Sequence, residues 1–134
     1  MDQMKNKIIV ITGAGGVLCS GFAAFLAGKG AKVALLDLNE AAAQAVAEEI
    51  RQNGGAAQAY ACNVLDRAAL ESVHQQVLRD LGPCDILING AGGNHKSCTI
   101  AHEEFQAGDE SAQDELTFFN LDAKGFDFVF DLNL

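Results

Sequence analysis

Positive charge is scarce in this 134-residue chain, which carries nine Lys and Arg against 18 Asp and Glu, a formal net charge of −9. No basic stripe forms, so nucleic acid is not an expected partner. Long apolar runs are also missing. None approaches the ~20 residues that span a bilayer, so no membrane association is expected. No basic segment leads into an apolar stretch near Met1, so no secretory signal is expected, and a cytoplasmic location follows. The four cysteines, Cys19, Cys62, Cys84 and Cys98, form no CxxC pair and match no zinc spacing, so no metal site is expected. Reduced thiols, buried at Cys62 and Cys84, are the expected state. A catalytic thiol would need a histidine beside it, and none is legibly placed.

What is present fits one globular domain, taken as residues 1–134: 49% apolar and 20% charged residues, enough to build a core. Acid is concentrated late in the chain. Between Glu103 and Asp131 lie nine carboxylates, with Lys124 the only Lys or Arg, and they read as a solvated acidic face.

Strand and helix patterns alternate. "KIIVIT" (7–12), "KVALLD" (32–37), "AQAYACNV" (57–64) and "DILING" (85–90) read as short buried strands. Between them, 20–29 reads as a small-residue helix with Phe22, Phe25 and Leu26 on one side. "EAAAQAVAEEIRQN" reads as a helix capped by Asn39. A third helix is capped by Asp66, with Leu70, Val73, Val77 and Leu81 stepping along one face. The order βαβαβαβ implies an α/β fold: a doubly wound parallel sheet of Rossmann type with strand order 3-2-1-4. Its ligand crevice is expected between strands 1 and 4, at their carboxyl ends. Residues 94–121 read as a polar loop or short helical pieces. Residues 122–134 read as the start of a helix with Phe126, Val129, Phe130 and Asn133 near one face. The paired and alternating phenylalanines, Phe118, Phe119, Phe126, Phe128 and Phe130, read as core and interface.

The first strand runs into Gly13-Ala14-Gly15-Gly16 and then a helix. Backbone N–H groups and a positive helix end converge there, which suits a pyrophosphate. A tight structural turn has the same signature. Asp37 sharpens the reading, because it ends the second strand 24 residues after Gly13. A carboxylate at that place accepts hydrogen bonds from an adenosine ribose and repels a 2′-phosphate. No Arg or Lys stands in the loop or just after Asp37 to attract one. NAD is therefore expected over NADP. A carboxylate that merely caps the following turn is the alternative. His95 and Lys96 follow the fourth strand, where they either meet a substrate carboxylate or lie in a solvated loop.

Four segments, "TGAGG" (12–16), "LLDLN" (35–39), "CNV" (62–64) and "LINGAGG" (87–93), together resemble the short-chain dehydrogenase/reductase family. The resemblance implies an NAD-dependent oxidoreductase that moves hydride between the nicotinamide and a secondary alcohol or ketone. It places Gly13, Gly15, Gly16, Val17 and Leu18 at the pyrophosphate and Asp37 at the ribose. Asn63 and Val64 would flank the adenine, Asn89 would steady the sheet, and Ala91 and Gly92 would pass along the cofactor. "DLNL" (131–134) is similar to the family's active-site asparagine segment, which makes Asn133 the implied catalytic residue, holding a water of the proton relay. Within the family, "TGAGGVLCSG", "LINGAGGNH" and "FFNLDAKGFDFVFDLNL" are most similar to the D-mannonate oxidoreductase branch. That branch implies a sugar acid such as D-mannonate or D-fructuronate as substrate.

The chain departs from the family pattern in four places. In an ungapped alignment Val17 and Cys19 stand where the second and third glycines of TGxxxGxG belong, so Gly15 and Gly16 are expected to supply that flexibility. Gly90 replaces the second asparagine of Asn-Asn-Ala-Gly. The stretch between Asn89 and Asn133 is longer than the family pattern. The family's Tyr-x-x-x-Lys pair is not matched: Tyr60 is the sole tyrosine, lies in the third strand, and is followed four positions on by Val64. By resemblance the chain corresponds to the amino-terminal half of such an enzyme and is not expected to transfer hydride alone. A homo-oligomer, or association with a separate carboxyl-terminal half, is the expected assembly. A non-catalytic dinucleotide-binding module, an inactive fragment and a purely structural α/β domain remain the alternatives.

Overall fold

The computed structural model describes residues 3–134. They divide into two compact units that meet in sequence between Ala91 and Gly92. The first unit contains β1 (Ile8–Thr12), α1 (Val17–Gly28), β2 (Lys32–Asp37), α2 (Glu40–Gln52), β3 (Ala56–Ala61), α3 (Arg67–Asp80) and β4 (Ile86–Asn89). The four strands form one parallel sheet in the order β3-β2-β1-β4, as the alternating pattern predicts. In register, Thr12 lies beside Leu36 on one side and Asn89 on the other, and Asp37 lies beside Ala61.

The strands are covered on both faces, and alternation along each strand sorts their side chains. Ile9, Ile11, Val33 and Leu35 pack with Ala23 and Ala27 of α1 and with Ala43, Ala47 and Ile50 of α2. Ile8, Val10, Ala34, Leu36 and Tyr60 pack with Val73 and Val77 of α3. Small residues on α1 and α2 let those helices lie close to the sheet. Full burial of one branched side chain of this kind contributes about 1.5–3 kcal/mol.

Three elements differ from the sequence reading. Helix α1 begins at Val17, directly after the glycine turn, and not at residue 20. Its buried face is Cys19, Ala23 and Ala27, and Phe22 and Phe25 point to solvent. Of the three apolar residues read on one side, Leu26 packs against the core beside Ala23 and Ala27, while the phenylalanines do not. Strand β3 stops at Ala61, so Asn63 and Val64 belong to the following turn. Cys84 is exposed, its thiol donating to the Ile86 carbonyl at 3.2 Å, whereas Cys62 is buried.

Strand β4 pairs with β1 on one side only, and Leu87 is 56% exposed. Asp85 joins its start to β1: Oδ2 accepts the Ile8 N–H at 2.8 Å and Oδ1 meets Lys7 Nζ at 2.6 Å.

The second unit, residues 92–134, has two short 3₁₀ turns and α4 (Ala123–Asn133), capped by Asp122 accepting the Lys124 N–H. Asn120 organises the segment before α4. Its Oδ1 accepts the Thr117 N–H at 2.7 Å, and its Nδ2 donates to the carbonyls of Ala112 and Glu115. Phe118, Phe119, Phe126, Phe128 and Phe130 are exposed to differing degrees, so they do not form the core that their spacing suggested. Among the described residues no helix is long and apolar enough to cross a membrane.

Candidate functional site

Parallel strands with reversed connectivity leave a crevice at their carboxyl ends where the order switches, here between β1 and β4. The loop after β1 is bent at Gly13, whose φ of +66° favours glycine. The approach there is also close: a Cβ on Gly13 would stand 2.8 Å from Ala91 N and from Gly90 O. Thr12 Oγ1 accepts the N–H groups of Gly90 and Ala91, each at 3.1 Å. The chain leaving β4 is thereby bound to the chain leaving β1.

The flexibility expected of Gly15 and Gly16 is not used, because neither takes a positive φ. Gly15 is required for space instead. A Cβ there would meet the Ala42 Cβ at 2.7 Å. Gly16 is an ordinary extended N-cap with φ −76°. The glycine requirement has moved from bending the chain to letting α2 pass the loop.

Helix α1 differs from α2, α3 and α4 at its start. Asn39, Asp66 and Asp122 cap those helices with side-chain oxygens, while Gly16 caps α1 with none. The first N–H groups of a helix need a partner from outside it. Val17 is 96% exposed and Leu18 69% exposed, so this end of α1 is open. An anion at this point meets backbone donors and the positive end of the helix dipole.

Asp37 closes the loop from the β2 side. Its Oδ2 accepts the Gly15 N–H at 2.9 Å, and its Oδ1 accepts the Asn39 N–H at 2.8 Å. Two of the roughly four acceptor positions of the carboxylate are left for a ligand. This donor and acceptor set fits a dinucleotide: N–H groups for the pyrophosphate, a carboxylate for ribose hydroxyls. Asn63 is exposed in the turn after β3, and its Oδ1 accepts the Leu65 N–H at 3.0 Å. Val64 is half-buried beside it, and Asn89 ends β4 opposite Thr12. The first unit thus gathers Gly13, Gly15, Gly16, Val17, Leu18, Asp37, Asn63, Val64, Asn89 and Ala91 along one edge of the sheet. Thr12 was missed from the sequence; a polar residue ending an otherwise apolar buried strand was its signal.

Gly92 and Asn133 lie in the second unit and pack on each other. A Cβ on Gly92 would stand 2.7 Å from Asn133 Oδ1. Asn133 Nδ2 donates to the carbonyls of Gly93 and Val129, at 2.9 and 2.7 Å, and its Oδ1 accepts the Gly93 N–H at 2.9 Å. In the same unit the His95 and Phe128 rings pack at a 54° tilt with centroids 4.7 Å apart, and His95 Nδ1 lies 2.8 Å from Ser97 Oγ.

Tyr60 is buried in the first unit, its hydroxyl donating to Asp80 Oδ2 at 3.3 Å. Burial, and then the Asp80 charge, push the phenol up to about 12. An acid–base tyrosine requires the opposite shift. Burial, followed by the Asp66 charge, also pushes the Cys62 thiol up, away from the reactive thiolate. Among the described residues no group of three or more His, Cys, Asp or Glu is placed to hold a metal ion.

Comparison with known proteins agrees with this geometry. The short chain dehydrogenase family profile matches residues 7–129. An uncharacterized oxidoreductase of Haemophilus influenzae is 52% identical over 131 residues, which is 98% of this chain and 45% of that protein. A solved Haemophilus structure with bound NAD, provisionally assigned as a D-mannonate oxidoreductase, has a TM-score of 0.89 and 52% identity over 96% of this chain and 45% of its own. A metagenomic short-chain oxidoreductase in complex with NADP has a TM-score of 0.64 and 32% identity, over 67% of this chain and 41% of its own. The chain therefore spans about half the length of the relatives it matches. Sheet order, glycine turn and family profile lead to one conclusion: this chain belongs to the short-chain dehydrogenase family of oxidoreductases.

Proposed function

We propose that this chain supplies the NAD-binding part of an oxidoreductase whose substrate is a secondary alcohol or ketone on a sugar acid such as D-mannonate or D-fructuronate. The observation that carries the reading is the Asp37–Gly15 hydrogen bond, which holds an acidic acceptor against an open helix end. Bound NAD would supply the hydride acceptor. Gly13, Gly15 and Gly16 keep the backbone bare for its pyrophosphate, and the N–H groups of Val17 and Leu18 receive the negative charge. Asp37 accepts from the adenosine ribose and repels a 2′-phosphate. Leu38 and Asn39, which follow it, bring no positive charge to offset that repulsion. The NAD-bound Haemophilus structure supports the preference for NAD. Asn63 and Val64 border the adenine, and Asn89, Ala91 and Gly92 border the rest of the cofactor.

For the substrate, His95 and Lys96 are the proposed partners of a sugar-acid carboxylate. The His95 ring is held by Ser97, whose Oγ lies 2.8 Å from Nδ1, and Lys96 adds a positive charge next to it in the chain. The provisional mannonate assignment of the Haemophilus structure supports this substrate class. Asn133 is proposed to hold a water of the proton relay through the second lone pair of Oδ1.

A second reading, a chain that binds the dinucleotide without carrying out proton transfer itself, is favoured by Tyr60. Its phenol is buried against Asp80 and unsuited to acid–base work. The free side of β4 leaves room for a further strand beside it, since an apolar edge strand recruits a neighbour. Fluorescence titration with NADH and NADPH tests the main reading, and no binding at millimolar cofactor would overturn it.

A further inference from the structure

The two departures at positions 19 and 90 meet in space. A Cβ built on Gly90 would overlap Cys19 Sγ and stand 2.7 Å from the Thr12 carbonyl oxygen. Cys19 is buried and belongs to the cluster formed with Ile9, Ile11 and Ala23. Its sulfur occupies the room that any side chain at position 90 would need. A side chain that reaches beyond Cβ at position 19, as the cysteine does, therefore demands a bare backbone at position 90.

We propose that Cys19 and Gly90 are a coupled pair of positioning residues that sets the width of the crevice between α1 and the chain leaving β4. The proposal rests on the dinucleotide reading given above. Cys19 is the third residue of α1, directly after Val17 and Leu18. The opposite wall is held by Thr12 Oγ1 through the Gly90 and Ala91 N–H groups, and by the contact of Gly13 with the same two residues. A group inserted at position 90 meets the Thr12 carbonyl oxygen and the Cys19 sulfur at once. Through that sulfur it presses on the first turn of α1 and shifts the Val17 and Leu18 N–H groups with it. The pair acts on the cofactor through those backbone donors and touches no reacting atom.

A double-mutant cycle in the full chain tests this, with NADH affinity and thermal midpoint measured for the unaltered protein, Gly90→Ala, Cys19→Gly and the double variant. Gly90→Ala should weaken NADH by about tenfold or more, and the double variant should recover at least half of the lost logarithm of affinity. Recovery stays partial because the Thr12 carbonyl still crowds the new methyl group. Cys19→Ser, which keeps the size, should bind as the unaltered protein does. A double variant no better than Gly90→Ala overturns the proposal, as does unchanged affinity in Gly90→Ala. Coupling seen in the thermal midpoint but absent from affinity reduces the pair to a packing contact and also overturns it. If Gly90→Ala does not fold, a folded double variant that binds NADH supports the pair, and an unfolded one refutes it. Failure of the unaltered protein to bind NADH or NADPH is a different result, and it removes the dinucleotide reading itself.

Discussion

The Asp37 carboxylate accepts the Gly15 N–H at 2.9 Å through Oδ2, while its Oδ1 accepts the Asn39 N–H at 2.8 Å. One side chain thus braces the glycine loop and caps the turn into α2. The two readings open at the sequence level, ribose acceptor and turn cap, are compatible, because a carboxylate has lone pairs for both.

Replacing Asp37 by Ala removes both bonds and the acidic acceptor. Hydrogen bonds to a charged group contribute about 1.5–3 kcal/mol, so NADH affinity should fall roughly ten- to a hundredfold. NADPH affinity should fall less or rise, since the repulsion of the 2′-phosphate is gone. Titration of both cofactors against Asp37→Ala measures this, and an unchanged NAD affinity would refute the assignment of Asp37.

Gly13→Ala combines a left-handed φ of +66° with a methyl group 2.8 Å from Ala91 N and Gly90 O. The conformation alone costs about 1–2 kcal/mol in an L-residue, and the crowding adds to it. Thermal denaturation should show a midpoint several degrees lower, with cofactor binding impaired in the protein that remains folded.

Tyr60 offers a test in alkaline solution. The folded chain holds the phenol proton up to about 12, while the unfolded chain releases it near 10.0. Its contribution is complete below pH 10 and is lost as pH rises from there through about 12. The loss runs at about 1.4 kcal/mol per pH unit where only the unfolded state has ionised. Denaturant unfolding of the unaltered chain and of Tyr60→Phe over this window should show a steeper fall in the former, because the raised Cys62 thiol contributes to both. Tyr60 is the sole tyrosine, so phenolate absorbance reads its titration directly.

Asn133→Ala would free the Gly93 N–H and leave the Gly93 and Val129 carbonyls without their side-chain donor. Hydrogen exchange at the Gly93 amide should quicken by about tenfold, the equivalent of one ordinary hydrogen bond. Exchange in the β1 and β2 core should not change. Equal protection at Gly93 in both proteins would show that the asparagine does not hold this segment.

The sequence carried the fold well because its signals are local. Ile9, Ile11, Val33 and Leu35 announce buried strands, Asn39 and Asp66 announce caps, and alternation of strands with helices leaves little freedom in parallel topology. Asp37 and the glycine turn were legible for the same reason, since both sit at fixed places on a βα unit. The face of α1 was not legible. Phe22 and Phe25 are bulkier than Ala23 and Ala27, yet the small pair, with Cys19, forms the buried face.

By itself, then, the amino-acid order determined an α/β chain with strand order 3-2-1-4 and a glycine turn facing Asp37. Only the tertiary structure decided what Gly15 and Gly90 are for. Their constraint is the nearness of Ala42 and Cys19, residues far from them along the chain. A missing side chain has no periodicity and no partner in sequence. Its meaning appears only when the packed neighbours show that no space was left for one.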